Sequence, residues 1–197
     1  FRGDGGEDTG RELMEATRFT ELALTNEANR AVLSLLPELG LADSWLVSGC
    51  LFQTVWNALT GREPGYGIKD YDIFYFDPDT SWEAEDDAIA RGRELFSGLG
   101  VEMEIRNQAR VHLWYEEKFG RPYPPLAKAT DGIDRFLAPA CMVGISAAGD
   151  VYAPKGFDDI EEMVIRPNPV ANFDAAELRR KAARWQEMWP EVRLGGV

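Results

Sequence analysis

A single histidine (His112) and two cysteines (Cys50 and Cys141) are all that 197 residues offer by way of nitrogen and sulfur metal ligands. A Cys/His zinc site of the usual spacing is thereby excluded. Any metal bound here must be held by oxygen. The two cysteines lie far apart in a chain whose first ten residues, FRGDGGEDTG, are polar and acidic and do not read as a signal peptide. They are therefore expected as buried thiols rather than a disulfide. Long apolar runs are also missing: none approaches the roughly 18 residues a membrane helix needs, so no membrane partner and a cytoplasmic location are expected. Positive charge is scarce, with 21 Lys and Arg against 34 Asp and Glu and a net charge of −13. Proteins that grip a nucleic-acid backbone depend on a basic face. The balance turns away from long nucleic acid and toward small molecules or proteins.

What remains is ordinary globular material, 45% hydrophobic and 28% charged, in about one domain's length. A single domain over 1–197 is expected, with 1–10 lacking fixed structure. Helix-forming composition covers 12–24 and 27–39, with Pro37 placed to end the second early and Gly40 to stop it. Trp45–Val47 reads as a short buried strand running through Ser48-Gly49-Cys50 into a helix closed by Gly61. The stretch 61–67, with three glycines and a proline, is a loop, and Asp70–Phe76 is a strand. Thr80–Glu83 matches a capping box ahead of a helix to Phe96, whose acids at 83–87 read as a solvated face. Val101–Arg106 alternates like a strand, and Val111–Tyr115 fits strand or helix equally. A short helix at 133–137 capped by Thr130, a hairpin at 141–153, and helices near 158–164 and 175–188 complete the chain. The fold class is α+β (or α/β): a small mixed β-sheet flanked by helices.

The chemistry-bearing feature is Asp70-x-Asp72 at the start of an apolar strand. Strand alternation puts both carboxylates on one face, about 7 Å apart at Cβ. Carboxylates that close repel unless a cation sits between them, and oxygen ligation suits Mg2+ or Mn2+. Two further features join this pair. The turn Ser48-Gly49 feeds a helix N-terminus, where backbone N–H groups attract phosphate. Glu104, flanked by apolar Met103 and Ile105, offers a third acid from a later strand. The apolar residues follow the acids, which argues against phosphatases of the haloacid-dehalogenase kind and against the glycosyltransferase D-x-D.

A small-residue turn, then D-x-D, then a later acid is the layout of the DNA polymerase beta-like nucleotidyltransferase superfamily. Five blocks carry the resemblance further: Trp45-Leu-Val-Ser-Gly-Cys-Leu-Phe-Gln-Thr-Val-Trp-Asn57, Gly67-Ile-Lys-Asp-Tyr-Asp-Ile-Phe-Tyr-Phe-Asp77, Ser81-Trp-Glu-Ala-Glu-Asp86, the stretch Val101 to Tyr115, and Gly132-Ile-Asp-Arg-Phe136. Together they resemble an uncharacterised bacterial nucleotidyltransferase-like family, a former domain of unknown function, over roughly Trp45 to Pro169. The resemblance implies a nucleotidyltransferase core with extra N- and C-terminal helices. It also implies a metal-dependent enzyme that moves a nucleoside monophosphate from a triphosphate to a hydroxyl-type acceptor. By position, Asp70, Asp72 and Glu104 would be the metal-binding and catalytic acids, with Ser48 and Gly49 at the triphosphate. The turn reads Ser-Gly-Cys where the superfamily usually has Gly-Ser or Gly-Gly.

Lys69, Arg106, Arg110 and His112 are further candidates for the nucleotide. The bland alternatives are an exposed strand-start lysine, surface ion pairs and a core histidine. Trp45, Trp56, Trp82 and Trp114 are expected in the core, one of them available to stack a base. A rival of a different class is a catalytically inactive nucleotide- or protein-binding regulatory module on the same fold.

Overall fold

The computed structural model describes residues 16–171 and 174–196. Expectations for 1–10 and for the start of the first helix fall outside them. The first described element, α1, is helical over 16–23. It is followed by α2 (Glu27–Leu35), capped by the Asn26 side chain accepting from the Ala28 N–H. A 3-10 turn (Leu36–Leu39) takes over at Pro37 and stops at left-handed Gly40, as expected of a residue without a donor.

The central sheet has order β3-β2-β1-β4-β5. Its strands are β1 (Trp45–Val47), β2 (Asp70–Tyr75), β3 (Glu102–Asn107), β4 (Gly144–Ser146) and β5 (Val151–Tyr152). β1 runs antiparallel to both β2 and β4, β4 antiparallel to β5, and β2 parallel to β3. A parallel pair needs a crossover, supplied by α4 (Trp82–Leu95). Its N-cap is Ser81, whose hydroxyl accepts from Ala84 N, one residue later than the Thr80 box expected. α4 approaches β3 so closely that a Cβ at Gly92 would lie 2.0 Å from Ile105 Cδ1.

β2 alternates strictly. Tyr71, Ile73 and Tyr75 are buried, while Asp70, Asp72 and Phe74 take the other face. Ile73, Leu46, Ile105 and Ile145 belong to the main core with Phe52, Val55 and Trp56 of α3 (Gly49–Leu59). On the opposite face a smaller apolar cluster of Val47, Ile133 and Met142, with Phe74 and Phe136 against it, covers only part of the sheet. The uncovered part holds the acids.

The ambiguous segment is a helix, α5 (Val111–Phe119). The short helix expected at 133–137 lies earlier, at α6 (Ala129–Ile133), because Asp131 accepts the N–H groups of Ala127 and Lys128 and starts the turn there. Thr130 is inside α6, not its cap. Likewise α7 is only Asp158–Glu161, since Val164–Ile165 (β6) pairs in parallel with Arg193–Leu194 (β7) in a second sheet that local patterning did not reveal. α8 (Ala175–Met188) begins at Asp174, whose carboxylate accepts from Glu177 N at 2.7 Å.

Candidate active site

Register brings the acids together. Asp72 stands opposite Glu104 and Asp70 opposite Glu102 in the parallel β2–β3 pair, so all four share one face. Val47 faces Asp72 from β1. The chain turns at the very next residue into α3, and this places Ser48 and Gly49 beside the acids.

That turn is strained. Ser48 has φ 57° and ψ −114°, a region that side-chain-bearing residues avoid and glycine accepts. It is held by its N–H donating to Val143 O at 2.9 Å and by its carbonyl accepting from Leu51 and Phe52. Strain maintained in this way is characteristic of ligand sites. Ser48→Gly should therefore stabilise the fold by about 1 kcal/mol in denaturant titration; a loss of stability would show that the serine hydroxyl outweighs the strain.

Ser48, Gly49, Lys69, Asp70 and Asp72 line one cleft of about 350 Å³. Its far wall was not anticipated: it comes from α8, which contributes Lys181, Arg184 and Trp185. α8 docks through buried Leu178 and Ala182, with Trp185 edge-on to Phe52 and Trp56. The intervening turn thus delivers two cations opposite the acids. A clue was present in the sequence: Arg179, Arg180, Lys181 and Arg184 crowd into one helix of a strongly acidic chain.

The convergence has an electrostatic consequence. Burial, then the Asp70 and Glu104 charges, push the Asp72 carboxyl up from 3.8 to about 7, while Lys181 and Arg106 pull it down. Cys141 also lines the cleft, but burial raises its thiol to about 12, and Cys50 is raised well above its ordinary value by burial and by Asp72. Both cysteines are buried and free, so neither is a ready nucleophile.

The remaining candidates sit elsewhere or more loosely. Lys69 is exposed, its Nζ 3.8 Å from Asp70 Oδ2. Arg106 Nη2 is 4.0 Å from Glu104 Oε2, both half-exposed. Arg110 does not line the cleft: it is buried with Nη1 2.5 Å from Glu85 Oε2, and Glu85 Oε1 accepts Asn107 N. Glu85 is thus buried rather than part of a solvated face. His112, on α5, is half-buried and likewise outside the cleft; its Nδ1 lacks a hydrogen-bond partner among the described residues. Trp56 is core as expected, but Trp82 is 65% exposed.

Residues 34–194 match the family described as Nucleotidyltransferase. The chain belongs to the nucleotidyltransferase family. An NMR structure of a protein described as a CCA-adding enzyme head domain superposes with a TM-score of 0.73 at 26% identity, covering 92% of this chain and 96% of that one. No curated protein matches the chain. For this nucleotidyltransferase, the mixed sheet flanked by helices is therefore the family architecture, as the resemblance implied. Among the described residues no group of three or more His, Cys, Asp and Glu side chains stands ready-made as a metal cage, and no helix is long and apolar enough to cross a membrane.

Proposed function

We propose that the cleft lined by Asp70 and Asp72, with Glu104 opposite Asp72 on the neighbouring strand, transfers a nucleoside monophosphate from a nucleoside triphosphate to a hydroxyl of a small acceptor, releasing pyrophosphate. The observation that carries this reading is the β2–β3 register, which sets Asp72 opposite Glu104 and on the same face as Asp70, beside a strained helix-start turn and in a cleft shared with two cations of α8. A donor set of oxygen only, mutually repelling and partly sheltered, fits Mg2+ or Mn2+. Asp70 and Asp72 would hold the ion, with Glu104 completing its surroundings or serving as base. When bound, such an ion neutralises phosphate charge and polarises the reacting phosphoryl group.

The protein's own groups supply the rest. Ser48 and Gly49, at the start of α3, present the helix N-terminus to the phosphates. Lys181 and Arg184 balance the charge of the leaving pyrophosphate. Glu104, half-exposed, accepts the acceptor hydroxyl's proton as that oxygen bonds the α-phosphorus and the bond from the α-phosphorus to the bridging oxygen breaks.

Incubation with a triphosphate radiolabelled at the α-phosphate, and separately at the γ-phosphate, tests the reading against pools of small hydroxylated metabolites. Label should move to an acceptor from the α position alone, with pyrophosphate formed. Triphosphate binding without transfer to any pool would favour the inactive regulatory module. In the same assay Lys181→Ala should weaken triphosphate affinity about tenfold, the scale of one charge-assisted contact; an unchanged affinity would remove α8 from the site.

A further inference from the structure

We propose that a second pocket, between the first turn of α4 and the body of α5, is the acceptor site and takes a small molecule with a planar ring and an anionic group. The acceptor assignment rests on the nucleotidyl-transfer reading above. This pocket, of about 600 Å³, is lined by Trp82, Glu85, Arg106, Trp114, Glu117 and Lys118, a size suited to a small ligand.

Trp82 gives the ring specificity. Its indole is 65% exposed, although burying so large a ring is normally favourable. The ring is nevertheless supported: the Arg110 guanidinium lies 4.3 Å from its centroid. Arg110 is in turn fixed by Glu85, and Glu85 is tied to the backbone of β3 through Asn107 N. A buried ion pair gives little net stability by itself. Here it braces an aromatic platform, one face on a cation and the remainder open to solvent. Trp114 adds a second indole, with Lys118 Nζ 5.5 Å from its centroid. Arg106 and Lys118 supply the cations for an anionic substituent.

Position connects the pocket to the chemistry. Arg106 Nη2 is 4.0 Å from Glu104 Oε2, and Glu104 is in register with Asp72. The nucleotide cleft, with Ser48 and Lys181, includes Asp72. Arg106 of this pocket and Asp72 of the nucleotide cleft thus both neighbour Glu104, the arrangement a two-substrate transfer needs. A ring held on Trp82 with its anion on Arg106 brings a neighbouring hydroxyl toward Glu104. That oxygen bonds the α-phosphorus, its proton passes to Glu104, and pyrophosphate leaves.

Fluorine NMR with fluorophenylacetate, and with neutral fluorobenzyl alcohol as its control, tests this on the full chain. The acid should bind in preference to the alcohol, and excess MgATP should not displace it. Trp82→Ala, at an exposed position that leaves the fold intact, should weaken the acid about fivefold, as loss of one ring contact does, and leave MgATP affinity unchanged. Lys118→Glu should weaken the acid but not the alcohol. Acid binding that is absent, that survives Trp82→Ala, or that MgATP displaces would overturn the proposal. If MgATP fails to bind the wild type while the acid behaves as expected, the ligand chemistry stands and the acceptor role falls with the nucleotidyl-transfer reading.

Discussion

Asp72→Asn is expected to lower nucleotidyl transfer by about a thousandfold or more, the scale on which removing a principal charge-stabilising group acts, and at the same time to make the metal-free protein more stable at alkaline pH. The two effects share one cause. In the fold, burial and the Asp70 and Glu104 charges raise this carboxyl to about 7 from an ordinary 3.8. Between those values the folded chain holds a proton that the unfolded chain has released. Stability therefore falls as pH rises from about 4 to about 7, and the full penalty applies above 7. A shift of this size corresponds to an upper bound of ~4 kcal/mol. Asparagine removes the charge, so the variant's melting temperature should exceed that of wild type at pH 8 without divalent cations and lose its advantage near pH 4. A variant unfolded at every pH would make Asp72 structural.

Trp189→Ala is expected to destabilise the chain by about 3–5 kcal/mol, as large aromatic truncations in a closed core do. Trp189 is 1% exposed, packs edge-on to Trp56 and donates from Nε1 to Asn57 Oδ1 at 2.8 Å. It also lies under the backbone of the loop before β2: a Cβ at Gly67, whose φ is +71°, would come within 2.7 Å of the indole. The residue thereby joins the end of α8, the middle of α3 and the approach to Asp70. Its loss should loosen the wall that carries Lys181 and Arg184, so triphosphate affinity should fall along with the denaturation midpoint. Affinity unchanged at a temperature where the variant is folded would show that α8 holds its cations independently of this anchor.

The acids were legible because strand alternation is a local rule: Asp72 and Glu104 sit between apolar neighbours that fix which face they take, and Asp70, two residues before Asp72, shares its face. The turn at Ser48-Gly49 was legible for the same reason, as a small-residue break between a strand and a helix. Lys181 and Arg184 were not, since their role depends on how α8 crosses α3, a contact more than a hundred residues distant in sequence. Arg110 misled as a nucleotide ligand because its partner, Glu85, lies one crossover away and looked like part of a solvated acidic face. Trp82 was expected in the core or stacking a base; it is exposed, and Arg110 over its ring makes that position tenable. The β6–β7 pair also eluded the sequence, as two-residue strands carry no readable period.

Isothermal titration of one nucleoside triphosphate into the wild-type chain, with and without Mg2+, tests the central claim most directly. If Asp70 and Asp72, with Glu104 beside them, hold the ion and the Ser48-Gly49 turn seats the phosphates, the ion and the triphosphate each tighten the other's binding, and Asp72→Asn removes this coupling while the metal-free affinity survives. Triphosphate affinity that is the same with and without Mg2+ in the wild type would contradict it.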